Sequence, residues 1–379
     1  MTKIINIITP FYYPTINGLS NVVKKNVEVL LTLNYKVNVF TSLGSKSFSN
    51  EIVYDFDLKG NGSLFNPIRG RKNFFLESIE AHSINAELVI IHGWHSSFTN
   101  LILDNINIDH KKICLYSHGT GFKTNENWFF KFIRSINYIG ARKKMDYYLK
   151  NIEYMIFITE KVNHPRCYDL LNFKNKKVFI QNTVSDRVLI SNSVRKILPV
   201  LNNFVNNDMK QRLVFCLSNF EEIKNQLYLI KLSKIYNFKL VCVGSNSTTY
   251  LIKLRHYIIT HNLSQQVLLL YQQDDFEIDW LYKNSDFFLF ASKNDFSPLV
   301  LIEAAKYQLP FISFETADKN RPGGFFCKNK FEFEERLKYM ISLTRDELNE
   351  LGFNGFDYYQ KYHKSDVYEN KLINFVTNI

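Results

Sequence analysis

"NDFSPLVLIEAAKYQLPFIS", residues 294–313, places one carboxylate, Glu303, between four apolar residues and two alanines. The apolar run "DFFLFAS" precedes it and ends at Ser292, and "PFIS" closes it. Short apolar runs of this kind are typical of β-strands. Ser297 followed by Pro298 is typical of a helix N-cap and the first helical residue after it. The stretch therefore predicts a strand, a loop, a helix and a second strand, which is the repeating unit of a parallel sheet.

The same alternation of strand and helix runs through the whole chain. Each half contains short apolar runs without clean polar alternation, as expected for strands buried on both faces. These runs are residues 4–9, 36–42, 86–92, 112–118 and 154–159 in the first half, and "LVFCLS", "FKLVCVGS", "QVLLLY", "DFFLFAS" and "PFISF" in the second. Apolar residues at helical spacing separate the first two runs: Val23, Val27, Leu30 and Leu31. The predicted fold class is α/β, with two tandem doubly wound (Rossmann-like) domains facing a central cleft that receives the carboxyl ends of their strands.

The chain length also favours two domains, because 379 residues exceed one ordinary core. The segment 185–211 is polar, rich in Asn and weakly periodic, so it predicts the boundary. We expect a first domain at 1–190 and a second at 191–361, with a helix at about 362–379 that packs back onto the first. "TRDE" at 344–347 predicts a capping box that opens a helix.

Cysteines and hydropathy indicate where the protein resides. The five cysteines lack the close spacing of a zinc site or redox motif, which predicts reduced thiols and a cytoplasmic location. They are Cys114, Cys167, Cys216, Cys242 and Cys327. The first apolar run stops at Pro10, which is too early for a signal peptide. No run of about 18 apolar residues exists, so we expect no membrane span.

The net charge of +11 is concentrated in the first half, where 24 Lys and Arg oppose 15 Asp and Glu in residues 1–190. A basic half predicts an anionic partner. Its most basic segment, "WFFKFIRSINYIGARKKMDYYLK" at 128–150, interleaves six cations with aromatic residues. This pattern suits an anionic membrane surface, and predicts a peripheral location on the inner face of the cell membrane. The alternative is an ordinary helix with solvated charges, and no motif indicates nucleic acid.

The second domain offers three charged candidates for a binding site. Asp295 lies in the loop before the predicted helix, whose N-terminus can receive a phosphate. A poorly hydrated Glu303 needs partners, which vicinal ribose hydroxyls would supply. The alternative is a solvent-facing Glu303 beside Lys306. "CLSNFEEIKNQ" places Lys224 where a helix begins, and an ammonium there suits a diphosphate, although a solvated surface lysine fits equally.

The first domain offers candidates at the ends of two strands. "YPTINGLSNVV" follows the first strand, and Asn17 with Gly18 allows a tight turn with close backbone approach. The segment lacks G-x-G-x-x-G, which argues against a nicotinamide dinucleotide. "CLYSHGTG" places His118 at a strand end, where an imidazole can exchange a proton near neutral pH. His92 and His95 compete with it, and no cluster has metal-ligand spacing.

These segments, in this order, resemble the retaining, nucleotide-sugar-dependent glycosyltransferases of family 4, which have the GT-B fold. The resemblance covers essentially the whole chain and is strongest in the second half. "NDFSPLVLIEAAKYQLPFIS" looks like that family's signature of two acidic residues separated by seven. "TPFYYPTING" resembles its first glycine loop, "SHG" its His-Gly, and "IQNTVS" its Pro-Asn-Gly-Val stretch.

The resemblance implies a role for each matching residue. Glu303 would bind the nucleotide ribose, and Asp295 would approach hydroxyls of the donor sugar. Main-chain amides of three consecutive residues would hold the diphosphate: Ser297, Pro298 and Leu299. His118 would contact the donor sugar near the reaction centre. Gly18 matches the glycine loop, where Asn17 replaces the usual first glycine.

Two positions depart from the family pattern. Asp295 is one methylene shorter than the usual Glu. The family also pairs a Lys with an Arg five residues before it on the diphosphate. Lys224 matches that Lys, but Asn219 stands at the Arg position. Arg321, before a "PGG" turn, is a candidate for the second positive charge.

The resemblance implies sugar transfer from a nucleotide-diphosphate donor to a glycan or lipid-linked acceptor, with retention of anomeric configuration and no metal or other cofactor. Bacterial surface polysaccharide or lipopolysaccharide synthesis is the expected setting. A nonhydrolysing sugar-nucleotide epimerase shares the two-domain architecture and is one alternative. A catalytically silent binding homologue is the other, motivated by the missing Arg.

Overall fold

The computed structural model describes residues 2–15, 17–42, 44–56, 58–59, 69–70, 72–94, 96–119, 143, 145–160, 167–184, 198–206, 211–245, 248–316 and 319–379. The chain divides into two compact units, Met1–Asn182 with Ser365–Ile379 and Thr183–Lys364. The divisions fall at 182/183 and 364/365, where the sequence predicts 190/191 and 361/362.

The first unit is built on a parallel sheet. Its strands and a short separate hairpin are β1 (Ile4–Ile8), β2 (Lys36–Ser42), β3 (Ile52–Phe56), β4 (Leu58–Lys59), β5 (Arg69–Gly70), β6 (Leu88–His92), β7 (Ile113–Ser117), β8 (Tyr154–Phe157) and β9 (Lys176–Phe179). The sheet order is β3-β2-β1-β6-β7-β8-β9, and every neighbouring pair is parallel. The antiparallel pair β4 and β5 stands apart. The chain therefore reverses its winding direction between β1 and β6, which makes this sheet doubly wound.

Helices connect these strands. They are α1 (Gly18–Thr32), α2 (Lys72–Ser83), α3 (Ser97–Asn105), a helical segment at 145–151, and α4 (Tyr168–Asn172). As the spacing predicts, α1 buries Val23, Val27 and Leu30. The last helix of the chain, α12 (Ser365–Thr377), packs on α1, where Lys25 Nζ lies 2.7 Å from Glu369 Oε1.

The second unit repeats the architecture. Its strands are β10 (Leu213–Leu217), β11 (Lys239–Gly244), β12 (Val267–Tyr271), β13 (Phe287–Phe290), β14 (Phe311–Phe314) and β15 (Gly324–Cys327). Its helices are α5 (Leu198–Asn206), α6 (Gln226–Tyr236), α7 (Thr248–Thr260), α8 (Asp275–Asn284), α9 (Leu299–Lys306), α10 (Lys330–Ser342) and α11 (Arg345–Tyr362). The sheet order is β12-β11-β10-β13-β14-β15, all parallel. The winding direction reverses between β10 and β13.

Both faces of the second sheet are buried, which explains its continuous apolar runs. Successive residues of β10 enter different cores. Val214 and Cys216 pack with α6, α7 and α10, whereas Leu213 and Phe215 pack with α5, α8 and α9. The predicted doubly wound α/β fold is therefore confirmed for both units. The sequence does not predict the hairpin β4–β5, nor β3, β9 and β15, which all lie at the edges of the parallel sheets.

Close backbone contact holds α11 against the segment that follows α9. A Cβ added to Gly352 would lie 1.9 Å from the Gln308 carbonyl oxygen, so only glycine fits there. The predicted capping box of α11 is confirmed, because Thr344 accepts from the Glu347 amide at 3.2 Å and Glu347 accepts from the Thr344 amide at 2.7 Å. This packing fixes the position of α9, the helix that carries Glu303.

Three further predictions concern the cysteines, membrane-spanning helices and the basic segment 128–150. All five cysteines are free and buried. Among the described helices, none combines the length and apolarity that crossing a bilayer requires. Of the basic segment 128–150, residues 128–142 and 144 lie outside the described residues. Its described end is helical and buries Met145 and Leu149, while Lys143 and Lys150 are exposed.

Candidate active site

Two loops of the second unit meet where its sheet reverses direction. The first follows β10 and the second follows β13, and the Lys293 amide donates to the Ile223 carbonyl at 2.9 Å between them. The contact brings Lys224 and Asp295 together, with Nζ 2.8 Å from Oδ2. Both side chains are about one-fifth exposed, at 20% and 21%. Two residues that lie 71 positions apart thus form one partly buried ion pair at the carboxyl edge of the sheet.

The start of α9 differs from the prediction by one residue. Pro298 is the N-cap with extended backbone (φ −69°, ψ 124°), and the helix begins at Leu299, so Ser297 is not the cap. Proline has no amide hydrogen, so Pro298 cannot contribute a donor to a phosphate. The Leu301 amide already donates to the Pro298 carbonyl at 3.2 Å. The amides of the first turn that point out of the helix are therefore those of Leu299 and Val300.

Glu303 is half-buried and has a buried protein partner. The Tyr282 hydroxyl donates to Glu303 Oε2 at 2.8 Å, and Tyr282 is 1% exposed. The Tyr282 ring stacks on Tyr307 with centroids 4.9 Å apart and planes within 2°. Tyr282 on α8 thus holds the Glu303 carboxylate in a fixed orientation, whereas a freely solvated glutamate would have no such partner. Sequence reasoning missed Tyr282, because its place in an ordinary helical pattern gives no sign of the contact.

Asn219 occupies the position where the family pattern has arginine. Its Oδ1 accepts from the Ser245 hydroxyl at 2.8 Å, which ties the loop after β10 to the end of β11. Gln226, which is fully buried at the start of α6, donates to the Asn219 carbonyl at 2.7 Å and to the Ser218 hydroxyl at 2.9 Å. Asn219 and Gln226 therefore stabilise the loop that carries Lys224. Arg321 is buried, at 3% exposed.

In the first unit, Asn17 and Gly18 begin α1 instead of forming the predicted tight turn. Asn17 is the N-cap, with an extended φ of −153°, and Gly18 is the first helical residue. Asn17 Oδ1 accepts from the Ser20 amide at 2.8 Å, and Ser20 Oγ accepts from the Asn17 amide at 3.0 Å. A reciprocal capping box satisfies these donors locally, so the chain enters the helix directly. Gly18 is exposed at the carboxyl edge of the first sheet.

His118 is half-buried at the end of β7, and His92 lies beneath it. His118 Nε2 is 3.3 Å from His92 Nδ1, and His92 Nε2 is 3.1 Å from Asn26 Nδ2. His92 is fully buried with both ring nitrogens in contact, so His118 is the histidine of the pair that can reach a ligand. Burial lowers the pKa of His118 to about 4. His95 lies outside the described residues.

A buried carboxyl group fixes the turn that carries His118. The Ser117 hydroxyl donates to Asp169 Oδ2 and accepts from the Gly119 amide at 3.2 Å. Gly119 has a φ of +86°, which favours glycine. Burial raises the pKa of the Asp169 carboxyl to about 6. The sequence gives no signal for Asp169, which lies 52 residues from its partner.

Across the described residues, no three His, Cys, Asp or Glu side chains are grouped as a metal site requires. The catalytic and binding candidates of each unit lie at the carboxyl edge of its sheet, as the doubly wound fold predicts.

Residues 201–346 match the family model of glycosyl transferases group 1. The match lies within the second unit, which is therefore similar to a group 1 glycosyltransferase domain. No curated protein sequence matches the chain.

Solved structures extend the comparison from residues 201–346 to the whole chain. Sucrose-phosphate synthase from Thermosynechococcus elongatus has a TM-score of 0.71 at 12% identity, covering 99% of this chain and 98% of that one. WaaG, a glycosyltransferase involved in lipopolysaccharide biosynthesis, has a TM-score of 0.65 at 12% identity over 98% and 99%. HepE from Anabaena, in complex with UDP, has a TM-score of 0.68 at 10% identity over 100% of both chains. The resemblance is thus confirmed at the level of group 1 glycosyltransferases with the GT-B fold.

The low pKa of His118 gives a first prediction. An unfolded histidine has a pKa near 6.5, and the folded group has a pKa of about 4. Between these values the unfolded chain binds a proton that the folded chain does not, so the fold loses stability as pH falls from 6.5 towards 4. At pH 5 we expect His118 to cost about 1–2 kcal/mol of unfolding free energy, after allowance for its partial exposure.

Urea unfolding at pH 7 and pH 5 measures this cost by comparing wild type with His118→Gln, which cannot titrate. Wild type should lose more stability than the variant on acidification, and NMR titration should place the His118 midpoint near 4. An NMR midpoint near 6.5, or equal losses for the two proteins, would contradict the assignment.

Proposed function

We propose that the protein transfers a sugar from a nucleotide-diphosphate donor to a glycan or lipid-linked acceptor, with retention of anomeric configuration. The observation that carries the proposal is the group formed by Lys224, Asp295, Glu303 and the N-terminus of α9 in the glycosyltransferase domain. These groups offer a cation, two carboxylates and free amides at the point where the sheet reverses, where doubly wound sheets bind ligands.

The nucleotide end of the donor fits Glu303. A carboxylate has two oxygens with about four acceptor sites, so Glu303 can accept from both vicinal ribose hydroxyls as well as from Tyr282. The Tyr282 hydroxyl donates to Glu303 Oε2 from the buried side, at 2.8 Å, and so fixes the direction in which the carboxylate faces a ligand. The complex of the similar HepE structure with UDP supports a uridine or related nucleotide as the donor's carrier.

The diphosphate fits the positive groups beside it. An ammonium has three hydrogens, so Lys224 can keep its contact with Asp295 and still donate twice to phosphate oxygens. The Leu299 and Val300 amides, together with the helix dipole, add fixed positive charge. These groups would stabilise the diphosphate as it leaves, because they are preorganised and need no rearrangement when its negative charge develops. His118 and Asp295 are assigned to the donor sugar in this proposal.

Thermal shifts with a panel of nucleotide sugars, followed by product analysis, test the proposal. A bound donor raises the melting temperature according to its concentration and Kd. We expect one donor to stabilise the protein and to yield a glycosylated product whose new linkage has the donor's anomeric configuration. An altered nucleotide sugar formed without acceptor would instead indicate an epimerase. If the protein neither transfers sugar nor hydrolyses any donor, the result would indicate a silent binding homologue.

Chelation gives a prediction about cofactors. We expect EDTA to leave the transfer rate unchanged, because Lys224, main-chain amides and the helix end supply the counter-charge of the diphosphate. The measurement compares initial rates before and after EDTA treatment, with a metal-dependent glycosyltransferase as the control for effective chelation. Complete loss of activity that Mg²⁺ or Mn²⁺ restores would overturn the metal-free assignment.

The acceptor is proposed to be anionic or membrane-linked. The first half carries +9 of the +11 net charge, and exposed Lys143 and Lys150 border the described part of segment 128–150. The similar WaaG acts in lipopolysaccharide biosynthesis, which supports a bacterial surface glycan as the product. We infer peripheral association with the cytoplasmic face of the membrane, and assign no role to nucleic acid.

Co-sedimentation with vesicles tests this association. Each basic residue near an anionic surface contributes roughly 1 kcal/mol, so changing Arg142, Lys143 and Lys144 to Glu should weaken binding by about 100-fold or more. The control makes the same charge change in the other unit, at Lys253, Lys283 and Lys338, and should bind almost as wild type. Wild-type binding should also require anionic lipid and fall at high salt. Binding that ignores lipid charge, salt and the first set of substitutions would favour a soluble acceptor.

A further inference from the structure

A chain of polar groups runs from His118 into the interior of the first unit. His118 Nε2 contacts His92 Nδ1 at 3.3 Å, and His92 Nε2 contacts Asn26 Nδ2 at 3.1 Å. Asn26 Oδ1 accepts from the Tyr368 hydroxyl, which lies 3.3 Å from the Tyr116 hydroxyl. The chain thus links two strand ends, α1 and α12, which are separated by up to 342 positions in sequence.

The four residues behind His118 are fully buried. Asn26, His92 and Tyr116 are 0% exposed, and Tyr368 is 1% exposed. Buried polar groups cost free energy unless each one is hydrogen-bonded. Here each of the four contacts its neighbour in the series from Tyr116 to His118. The Tyr116 ring stacks on both imidazoles, with centroids 4.6 Å from His92 and 4.9 Å from His118. The rings are therefore fixed in their planes as well as in their contacts.

The direction of these hydrogen bonds follows from Asn26. Its oxygen accepts from Tyr368, so its NH₂ group faces His92 and can only donate. His92 Nε2 must then be the acceptor, and a neutral His92 carries its hydrogen on Nδ1. That hydrogen points at His118 Nε2, so a neutral His118 carries its own hydrogen on Nδ1.

Both rings are neutral in this arrangement. Burial lowers the pKa of His118 to about 4, and burial together with the neighbouring His118 lowers the pKa of His92 well below its usual value. The direction of each hydrogen bond between Tyr368 and His118 depends on the orientation of the Asn26 amide. Turning that amide over would exchange the donor and the acceptor in all of these hydrogen bonds. In the structure the Tyr368 hydroxyl donates to Asn26 Oδ1, which holds the amide in this orientation, and the Tyr116 hydroxyl lies 3.3 Å from the Tyr368 oxygen.

We propose that Asn26 and Tyr368 are positioning residues that hold His118 as its Nδ1–H tautomer, so that it donates a hydrogen bond to an oxygen of the bound sugar. The contact with the sugar rests on the proposed function, whereas the tautomer is a property of the free protein. A neutral imidazole of fixed tautomer donates without transferring its proton. The reaction then keeps His118 as a constant hydrogen-bond donor.

NMR of the full-length protein with ¹⁵N-labelled histidine tests the tautomer directly, because protonated and unprotonated ring nitrogens have well-separated shifts. His92→Gln and His118→Gln assign the signals. In wild type at pH 7, we expect hydrogen on Nδ1 of both rings. Hydrogen on Nε2 of His118 would overturn the proposal without any activity measurement.

Two variants test the positioning role, Tyr368→Phe, which removes only a hydroxyl, and Asn26→Leu, which keeps the size of the side chain. Each should convert the His118 signal to a mixture of tautomers and lower kcat by about 10-fold, the effect of about one hydrogen bond. Affinity for nucleoside diphosphate should stay within about twofold, because the nucleotide groups lie in the other unit. Tyr148→Phe is the control, since its hydroxyl binds Asp104 at 2.6 Å, away from the chain.

The outcomes separate the two proposals. A single unchanged His118 tautomer in both variants would overturn the positioning role. Mixed tautomers with unchanged kcat would overturn the sugar contact. If wild type neither transfers sugar nor hydrolyses any donor, the proposed function fails, and the NMR measurements still decide the tautomer.

Discussion

Replacing Lys224 with alanine is expected to lower kcat/KM by about 100- to 1,000-fold, the usual cost of removing one preorganised group that stabilises developing charge. Asp295, in the loop that leads into α9, holds Lys224 at 2.8 Å, so its ammonium is in place before the donor binds. The loss should appear in kcat as well as in KM, because negative charge on the diphosphate increases as the sugar leaves. Steady-state kinetics on the donor selected from the nucleotide-sugar panel measures both constants.

Two further variants show whether the loss comes from the charge on Lys224. Lys253→Ala is the matched control, because Lys253 also pairs with a carboxylate, Glu222, at 2.8 Å but is 56% exposed. It should leave kcat/KM within about twofold of wild type, since exposed pairs contribute little. In Lys224→Ala, the unpaired Asp295 repels the diphosphate, so adding Asp295→Asn should recover part of the nucleotide affinity. A Lys224→Ala enzyme with nearly wild-type kinetics would remove Lys224 from the site.

Glu303→Ala should weaken binding of both the sugar donor and the free nucleoside diphosphate by about 30- to 1,000-fold, which corresponds to roughly 2–4 kcal/mol for lost charge-assisted hydrogen bonds and a stranded polar group. Both ligands carry the ribose, so both should lose affinity to the same extent. Isothermal titration with nucleoside diphosphate gives the Kd directly. The result would explain why one carboxylate interrupts an otherwise apolar helix.

Tyr282 separates a binding role of Glu303 from a structural one. Tyr282→Phe should weaken nucleotide binding by less than about 10-fold, because the carboxylate remains and loses only the hydroxyl that orients it. Glu335→Ala, on a different helix and 53% exposed, is the control for loss of a glutamate. If a folded Glu303→Ala protein binds nucleotide as wild type does, the carboxylate serves only as the partner of the Tyr282 hydroxyl.

The central strands were predictable because burial on both faces makes them continuously apolar. Within the two parallel sheets, the three strands that the sequence does not predict, β3, β9 and β15, each have one unpaired edge. Edge strands avoid pairing with other chains by carrying charged or exposed residues. β9 begins with two exposed lysines, Lys176 and Lys177, and β3 includes the exposed Asp55. At β3 and β9, the charged residues that protect the edge also remove the apolar signal.

The start of α9 shows the limit of local rules at the site itself. A serine before a proline fits an N-cap, but the proline ring fixes only φ, and Pro298 takes an extended ψ of 124°. That angle is set by the loop that brings Asp295 to Lys224, which local sequence does not encode. The same holds for Asn17, whose Asn-Gly pair suits a tight turn but caps a helix instead.

The meeting of charged candidates at one edge of the second sheet was predictable, because strand ends in a doubly wound sheet converge there. Lys224 and Asp295 meet in this way, with Nζ 2.8 Å from Oδ2, whereas Glu303 was singled out as a carboxylate in an apolar helix. The residues that support the candidates were not predictable. Tyr282 contacts Glu303 and Gln226 holds the loop of Lys224, whereas Asp169 and Asn26 lie behind His118. All four are ordinary members of helices. Each acts through a partner distant in sequence, such as Asn26 and Tyr368, so only the tertiary structure reveals them.

The return of α12 to the first unit has a consequence for biosynthesis. On the ribosome, Lys25, Asn26 and Tyr116 emerge early, but their partners Glu369 and Tyr368 are added only after the whole second unit has been translated. Tyr116 and Asn26 precede Tyr368 by 252 and 342 positions. At roughly 5–20 residues per second, that wait is on the order of 10–70 s. The second unit is one uninterrupted segment and can close its cores during this time. The half of the protein that is made first is therefore the half that finishes folding last.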